Sequence, residues 1–432
     1  MTRVAVTGCV VLTVVAATWL ATRGTVEAVA AVGLAAVALL WTVLGERLGI
    51  GLLLLGYLLA PLDKAPVLQV GGPSVTVTDL ILLAGFALAL PRLLRGRLHL
   101  APAYLLGVAM TVVTGALASV LVATDVASSV KSLVGWDFCM VLIPVGIAAL
   151  QPGRRLIRGF AWCYVAGQAF DTVYSIVQDP TTAIRHQGLT QHPNAFGEAG
   201  LVAFALLLYL RTASSRRRLV HAAMVVSLVA IYLSGSRAAT LVAAGLVLAL
   251  PFVERRARVG LGVLGLVGVG SVAALFLWHA AGAASSVDRL TGNAQTAASD
   301  NVRAASLADG WHLFLAHPLT GSGLVDVGII HVNLLEIAVG CGVLGVVGFL
   351  LVVGSLARPL LGGSRDRLLA MPVLAMAAWG LTAPALADRG PWLAIALGVA
   401  VFGGHAQPVP AYREPAAETV PAPAPPMAHL AI

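Results

Sequence analysis

The chain has 432 residues, 59% hydrophobic and only 11% charged, with a formal net charge of +8 and a mean hydropathy of +0.92. Those values exclude an ordinary soluble globule, and long apolar runs without alternation exclude a β-barrel in favour of bilayer-crossing helices. The basic excess does not point to nucleic acid, because the arginines cluster in short turns between apolar runs, where they act as topology determinants.

In chain order, the apolar runs predict an all-α polytopic membrane protein. About 14 spans, and no fewer than about 12, are expected. They run over 4–22, 28–44, 48–61, 77–94, 102–123, 133–150, 156–178, 195–210, 219–234, 238–253, 259–278, 333–354, 368–385 and 391–404. The third is short enough to be tilted or partial. The first is too long for the apolar core of a signal peptide and lacks a clear cleavage site. The chain divides into an N-terminal transmembrane bundle (1–178), a core (179–354), two C-terminal helices (355–404) and a Pro/Ala-rich tail (405–432), read as a disordered cytoplasmic segment. Cys9, Cys139, Cys163 and Cys341 all lie in apolar runs, with no ligand spacing and little prospect of a disulfide.

Placing the N-terminus in the cytoplasm puts 19 of the 27 basic residues inside, the bias that translocation imposes on lysine and arginine. The C-terminus is then also inside. Arg185, Arg237, Arg289, Arg303 and Arg389 fall among the minority outside, and a large outward loop spans 279–331.

The outward segments carry the polar chemistry. Arg185-His186-Gln187-Gly188 is followed by His192-Pro193-Asn194. Gln168, Asp171, Ser175 and Gln178 lead up to it at helical spacing, and line either a polar seam between helices or a cavity wall. Arg237 closes a tight turn, Ser234-Gly235-Ser236, and by itself fits a solvated or snorkelling arginine. Arg303 opens a surface helix predicted over 300–316, capped by Ser299 or Asp300. Leu307, Gly310 and Phe314 share its face, and Trp311 lies beside them. An arginine on that face suggests an anion or carboxylate partner.

His331 precedes Asn333-Leu334-Leu335-Glu336, which reads as a capping-box-like helix start. The positive end of a helix disfavours imidazolium there, leaving a neutral ring able to act as a base. His186, His192, His279, His312 and His317 are also outward, but their spacing supports no metal site. Arginines near the lipid surface, without a carboxylate pair or metal motif, suit phosphate or diphosphate.

Taken in order, these pieces resemble the O-antigen ligase and O-antigen polymerase superfamily of bacterial envelope enzymes. The resemblance covers roughly 180–350. It rests on Arg185-x-x-Gly188 with His192-Pro193-Asn194, Ser234-x-Ser236-Arg237, and Arg303 with Trp311 and His317-Pro318-Leu319-x-Gly321-x-Gly323. His331 with Glu336 and then Gly342-Val343-Leu344-Gly345 complete it. The resemblance implies glycan transfer from a polyprenyl-diphosphate carrier to an acceptor hydroxyl at the outer face of the bacterial plasma membrane, with no cofactor and no metal. By match, Arg237 and Arg303 hold the diphosphate, Arg185 assists, and His331 is the base. Glu336, Trp311 and Asn194 support the site. The sequence departs from the pattern at Val332, where the family has asparagine directly after the histidine, and in its number of spans.

Two other readings compete with it. A transporter or flippase of lipid-linked saccharides would bury ionisable residues near the midplane, and only Asp171 is placed for that. A polyprenyl-phosphate-sugar transferase with an acidic motif in the first outward loop finds only Glu27 there.

Overall fold

The structure is a computed structural model that describes residues 44–62, 66–69, 74–96, 98–180, 184–255, 286–291, 294–324, 330–364, 366–383 and 386–402, with two isolated positions at 262 and 265. The predicted spans over 4–22, 28–44 and 259–278 and the tail 405–432 lie outside the described residues.

The described architecture is helical apart from one small hairpin. Helix α1 (Glu46–Leu59) leads to strands β1 (Pro66–Gln69) and β2 (Ser74–Thr76), then α2 (Val77–Arg95) and α3 (Pro102–Leu121). Helix α4 (Val126–Asp137) passes through a π-turn (Phe138–Leu142) into α5 (Ile143–Ala149). Then come α6 (Arg154–Gln178), α7 (Pro193–Ala213), α8 (Arg217–Leu233), α9 (Arg237–Glu254), α10 (Ser286–Thr291), α11 (Ala294–Ala316), α12 (Asn333–Ala357), α13 (Met371–Trp379) and α14 (Arg389–Phe402).

Among the described residues six helical stretches are long and apolar enough to cross a membrane: Val77–Arg95, Pro102–Leu121, Val126–Ala149, Pro193–Ala213, Arg237–Glu254 and Asn333–Leu361. The chain is a multi-pass membrane protein. The expected count of 14 full spans is not reached among the described residues, for local reasons. The predicted span over 368–385 is a short 3-10 turn followed by the nine-residue α13, which ends at Gly380. Helix α6 has 25 residues but carries a polar stripe, and α8 has 17.

Helix α7 is the axis of the bundle. Every side chain from Phe196 to Leu210 is buried, as an all-round apolar helix requires. Helices α3 and α12 pack at backbone contact: a Cβ on Gly107 would stand 2.4 Å from the Gly348 carbonyl, and one on Gly348 would stand 2.7 Å from that of Gly107. Small residues let membrane helices approach this closely.

The ion pairs sort to the two ends of the bundle. At one end lie Arg95–Glu46 at 2.5 Å, Arg154–Asp366 at 3.0 Å and Arg211–Glu254. At the other lie Arg389–Asp79, Arg237–Asp300 and Arg303–Asp300. Every described pair joins residues that alternating helix crossings bring to the same end.

Helix α12 is interrupted. Gly342 takes φ 68° and ψ −172°, a left-handed conformation that glycine adopts without steric cost. The segment after α11 fills the break: Ser322 N–H donates to the Val339 carbonyl at 2.7 Å, Gly323 N–H to Gly340 at 3.2 Å, and Val343 N–H to Pro318 at 2.9 Å. Non-helical backbone inside a membrane helix is tolerated where protein groups satisfy it, as here. Leu324 N–H donates to the Ser129 hydroxyl at 2.7 Å, tying the same segment to α4.

Candidate active site

The turn between α8 and α9 organises the site. Gly235 adopts φ 61°, and the Ser236 hydroxyl caps α9 by accepting from Ala239 N–H. Three successive carbonyls of this turn then each receive a donor from elsewhere. His186 N–H donates to Leu233 at 3.0 Å, Arg185 Nε–H to Ser234 at 2.9 Å, and an Arg289 guanidinium N–H to Gly235 at 2.8 Å. Two arginines are thereby fixed to the turn from which Arg237 opens the first turn of α9.

Arg237 directs both terminal nitrogens at the two carboxylate oxygens of Asp300 on α11, one contact at 3.2 Å and the other shorter. Arg303, one turn further along α11, lies 3.8 Å from the same carboxylate. Arg237 is therefore not a solvated or snorkelling side chain, and Arg303 has the carboxylate partner its position suggested. Helix α11 begins at Ala294, earlier than expected. Asp300 consequently sits inside the helix and bonds Arg237 instead of capping.

Arg237 and Arg303 thus share one carboxylate, and Arg185 and Arg289 are fixed to the turn beside them. Burial and the neighbouring Arg289 and Arg303 push Arg185 down to about 10, so it remains charged at neutral pH. Arg289, only 6% exposed, is lowered by burial and by Arg237 and Arg303, and its Nε has no hydrogen-bond partner among the described residues. Arg303 is lowered by burial and then by Arg237. The hydrogen bond from Arg237, reinforced by the charges around it, holds Asp300 below the usual carboxylate range. Like charges gathered this closely are mutually unfavourable, and an anion placed among them is strongly favoured.

Two histidines border this centre. His192 caps α7, its Nδ1 accepting from Asn194 N–H at 3.1 Å, which requires an unprotonated Nδ1. Partial burial, then Arg185, Arg303, Arg289 and His331, lower its pKa. His331 is half-buried just before α12, its Nδ1 3.5 Å from the Ser306 hydroxyl of α11. The expected capping box is not formed. Val332 occupies the cap with no side-chain acceptor, and Asn333 N–H donates to the Gly380 carbonyl at 2.7 Å.

The supporting residues are placed as follows. The Asn194 amide oxygen accepts from Arg185 at 2.5 Å. Glu336 is buried in the first turn of α12, and its Oε2 has no hydrogen-bond partner among the described residues. Trp311 is 53% exposed, its ring 5.5 Å from that of Phe314, on the side of α11 away from Gly310, which packs on Ile330 and Leu335.

The polar stripe of α6 is a seam, not a cavity wall. The Gln168 amide donates to Thr172 at 2.7 Å and its oxygen accepts from Ser227 at 3.1 Å. Asp171 accepts from Leu189 N–H at 2.6 Å, and Ser175 meets His186 Nδ1 at 2.8 Å. These bonds hold the 184–192 segment, and so Arg185, in place.

Sequence reasoning gave no role to Arg289 or His192. Arg289 was visible only as one more exported arginine, and His192 as an outward histidine in the His192-Pro193-Asn194 piece of the resemblance, with no part in the chemistry. Their membership in the centre depends on contacts across more than 40 residues. Among the described residues no group of three or more His, Cys, Asp or Glu side chains could hold a metal ion.

No curated protein matches the chain. The model of the family described as O-Antigen ligase matches residues 222–350, a stretch that contains Arg237, Arg289, Arg303, His331 and the break of α12 at Gly342. Over those residues the chain is similar to the O-antigen ligases.

Proposed function

We propose that this protein transfers a glycan from a polyprenyl-diphosphate carrier to an acceptor hydroxyl, at the outer face of a bacterial plasma membrane. The observation that carries the reading is the clustering of Arg185, Arg237, Arg289 and Arg303 around the turn between α8 and α9, with Arg237 and Arg303 on the partly exposed Asp300 and His331 against Ser306 on the same helix as Arg303.

The chemistry follows from those residues. The acceptor oxygen attacks the anomeric carbon, the carbon–oxygen bond to the diphosphate breaks, and the acceptor proton passes to His331. Negative charge grows on the departing diphosphate. Arg237 and Arg303 face it with planar forks whose paired N–H groups match phosphoryl oxygens, and Arg185 and Arg289 add field from fixed positions. Guanidiniums in this role take the part a divalent ion plays elsewhere, so the reaction is proposed to be metal-independent. Asn194 orients Arg185, Glu336 stabilises the first turn of α12 beside the base, and Trp311 anchors α11 at the lipid headgroups.

The test uses purified full-length protein in nanodiscs with a polyprenyl-diphosphate oligosaccharide and excess chelator. Release of polyprenyl diphosphate should survive chelation. It should fall by about 10²–10⁴ in His331→Ala, the usual cost of a lost general base. Arg237→Lys and Arg303→Lys should fail nearly as badly as the alanine variants, because lysine lacks the planar fork. Wild-type turnover in His331→Ala would remove the base from the mechanism, and full activity in both lysine variants would remove the clamp.

A further inference from the structure

A second polar feature lies beside the arginine centre. A cavity of about 330 Å³ opens between the 190–192 segment, the N-terminal turns of α7 and α14, and the end of α1. Tyr164, His192, Glu198, Asp388 and Arg389 share its lining with apolar Pro61. Its volume is at the lower end of the roughly 300–1,000 Å³ of small-molecule sites.

Glu198 and Asp388 both line the cavity. Glu198 is 6% exposed, and its Oε1 has no hydrogen-bond partner among the described residues. Leaving a buried acceptor unsatisfied costs roughly 1–3 kcal/mol. Arg389 is ion-paired with Asp79, whose other oxygen accepts from Thr76 N–H at 2.8 Å and the Thr76 hydroxyl at 3.0 Å. The pocket therefore presents carboxyl oxygens as hydrogen-bond acceptors beside an apolar wall.

The geometry points to this pocket as a binding site for a single pyranose ring, whose hydroxyls donate to the Glu198–Asp388 pair while its C–H face rests on the apolar wall. A phosphate would meet the carboxyl oxygens and be repelled, whereas a neutral hydroxyl-rich ring satisfies them. His192 belongs to both this pocket and the rim of the arginine centre, so a ring held here lies beside the diphosphate site. The inference rests on the glycan-transfer reading for its relevance, but its binding test is separate.

The test is saturation-transfer NMR on the full chain in nanodiscs, with the methyl α-glycosides of glucose, galactose, mannose and N-acetylglucosamine as probes, alongside inorganic pyrophosphate binding. At least one glycoside should show transfer. Glu198→Gln and Asp388→Asn, which keep the side-chain volume, should each weaken it roughly 10-fold, the worth of a bond to a charged group. Both should leave pyrophosphate binding unchanged. Arg303→Ala should do the reverse.

Glucose 1-phosphate separates the two sources of the ring. Displacement of both glycoside and pyrophosphate identifies the donor's sugar, and simultaneous binding of glycoside and pyrophosphate identifies the acceptor's. Absence of transfer from all four glycosides in protein that binds pyrophosphate overturns the pocket assignment and leaves the diphosphate centre standing. Transfer unchanged in both carboxyl variants overturns it as well. Carboxyl-dependent glycoside binding without any pyrophosphate binding keeps the pocket and removes the diphosphate reading.

Discussion

Arg237 and Asp300 meet fork to fork although 63 positions separate them, and Arg303 approaches the same carboxylate from its own helix. Asp300 is 48% exposed while Arg237 is 23% exposed, so the carboxylate stands on the solvent side of the arginines, where an arriving anion would stand. Asp300 is thus both the counter-ion of the centre and a competitor for it.

Removing that competitor gives the first prediction. Asp300→Asn should tighten inorganic pyrophosphate binding by roughly 2–5-fold, the worth of one partly exposed ion pair. The gain should shrink as salt is raised. Isothermal titration at two ionic strengths measures it, and weaker binding in the variant would mean that Asp300 orients Arg237 more than it blocks it.

Topology can be tested at two exposed positions. Ala298→Cys on α11 and Ser215→Cys in the α7–α8 turn, placed in a Cys-free background, should label oppositely with an impermeant maleimide in intact cells. Position 298 should react and 215 should not. Labelling at 215 alone would invert the orientation and move the arginine centre to the cytoplasmic face.

The break in α12 should be intolerant of a side chain. A Cβ on Gly342 would stand 2.2 Å from the Leu319 carbonyl oxygen, in a left-handed conformation. Gly342→Ala should destabilise the protein by about 1–3 kcal/mol, the range for strained backbone of this kind. Gly354→Ala, on the same helix with nothing within 4 Å of its new methyl, should be neutral. Equal thermal midpoints for both variants would show that the 317–324 segment does not hold the break.

His192 supplies a pH dependence. Its folded pKa lies below the ordinary histidine value, so the unfolded chain binds the proton more readily. The stability it contributes is present above about 6.5 and is lost as pH falls through that value towards the folded pKa. His192→Asn retains an N-cap side chain without a titrating group. The thermal midpoint of the wild type should drop more steeply between pH 7.5 and 5.5 than that of the variant. Parallel curves would remove His192 as the source.

Much of the helical frame was legible in the sequence. Apolar runs mark α2, α3, α7, α9 and α12, because a backbone in lipid must satisfy its own hydrogen bonds and helices do so locally. The arginine-rich turns mark the two ends of the bundle, and the observed ion pairs keep to those ends. Arg185, Arg237, Arg303 and His331 could be singled out because an exported arginine or a histidine at a helix start is unusual in so apolar a chain.

What the sequence alone determined, then, was a polytopic helical membrane protein with cations gathered in a few segments at one end, since hydropathy and charge bias are one-dimensional signals. Tertiary structure decided which groups share a site. It alone placed Arg289 on the Gly235 carbonyl, Asp300 between two arginines, and Glu198 and Asp388 in the lining of one pocket. It alone broke α12 at Gly342, where the stabilising bonds come from a segment some 20 residues earlier. Each of these depends on side chains and backbone meeting across helices, and no local propensity or period encodes that meeting.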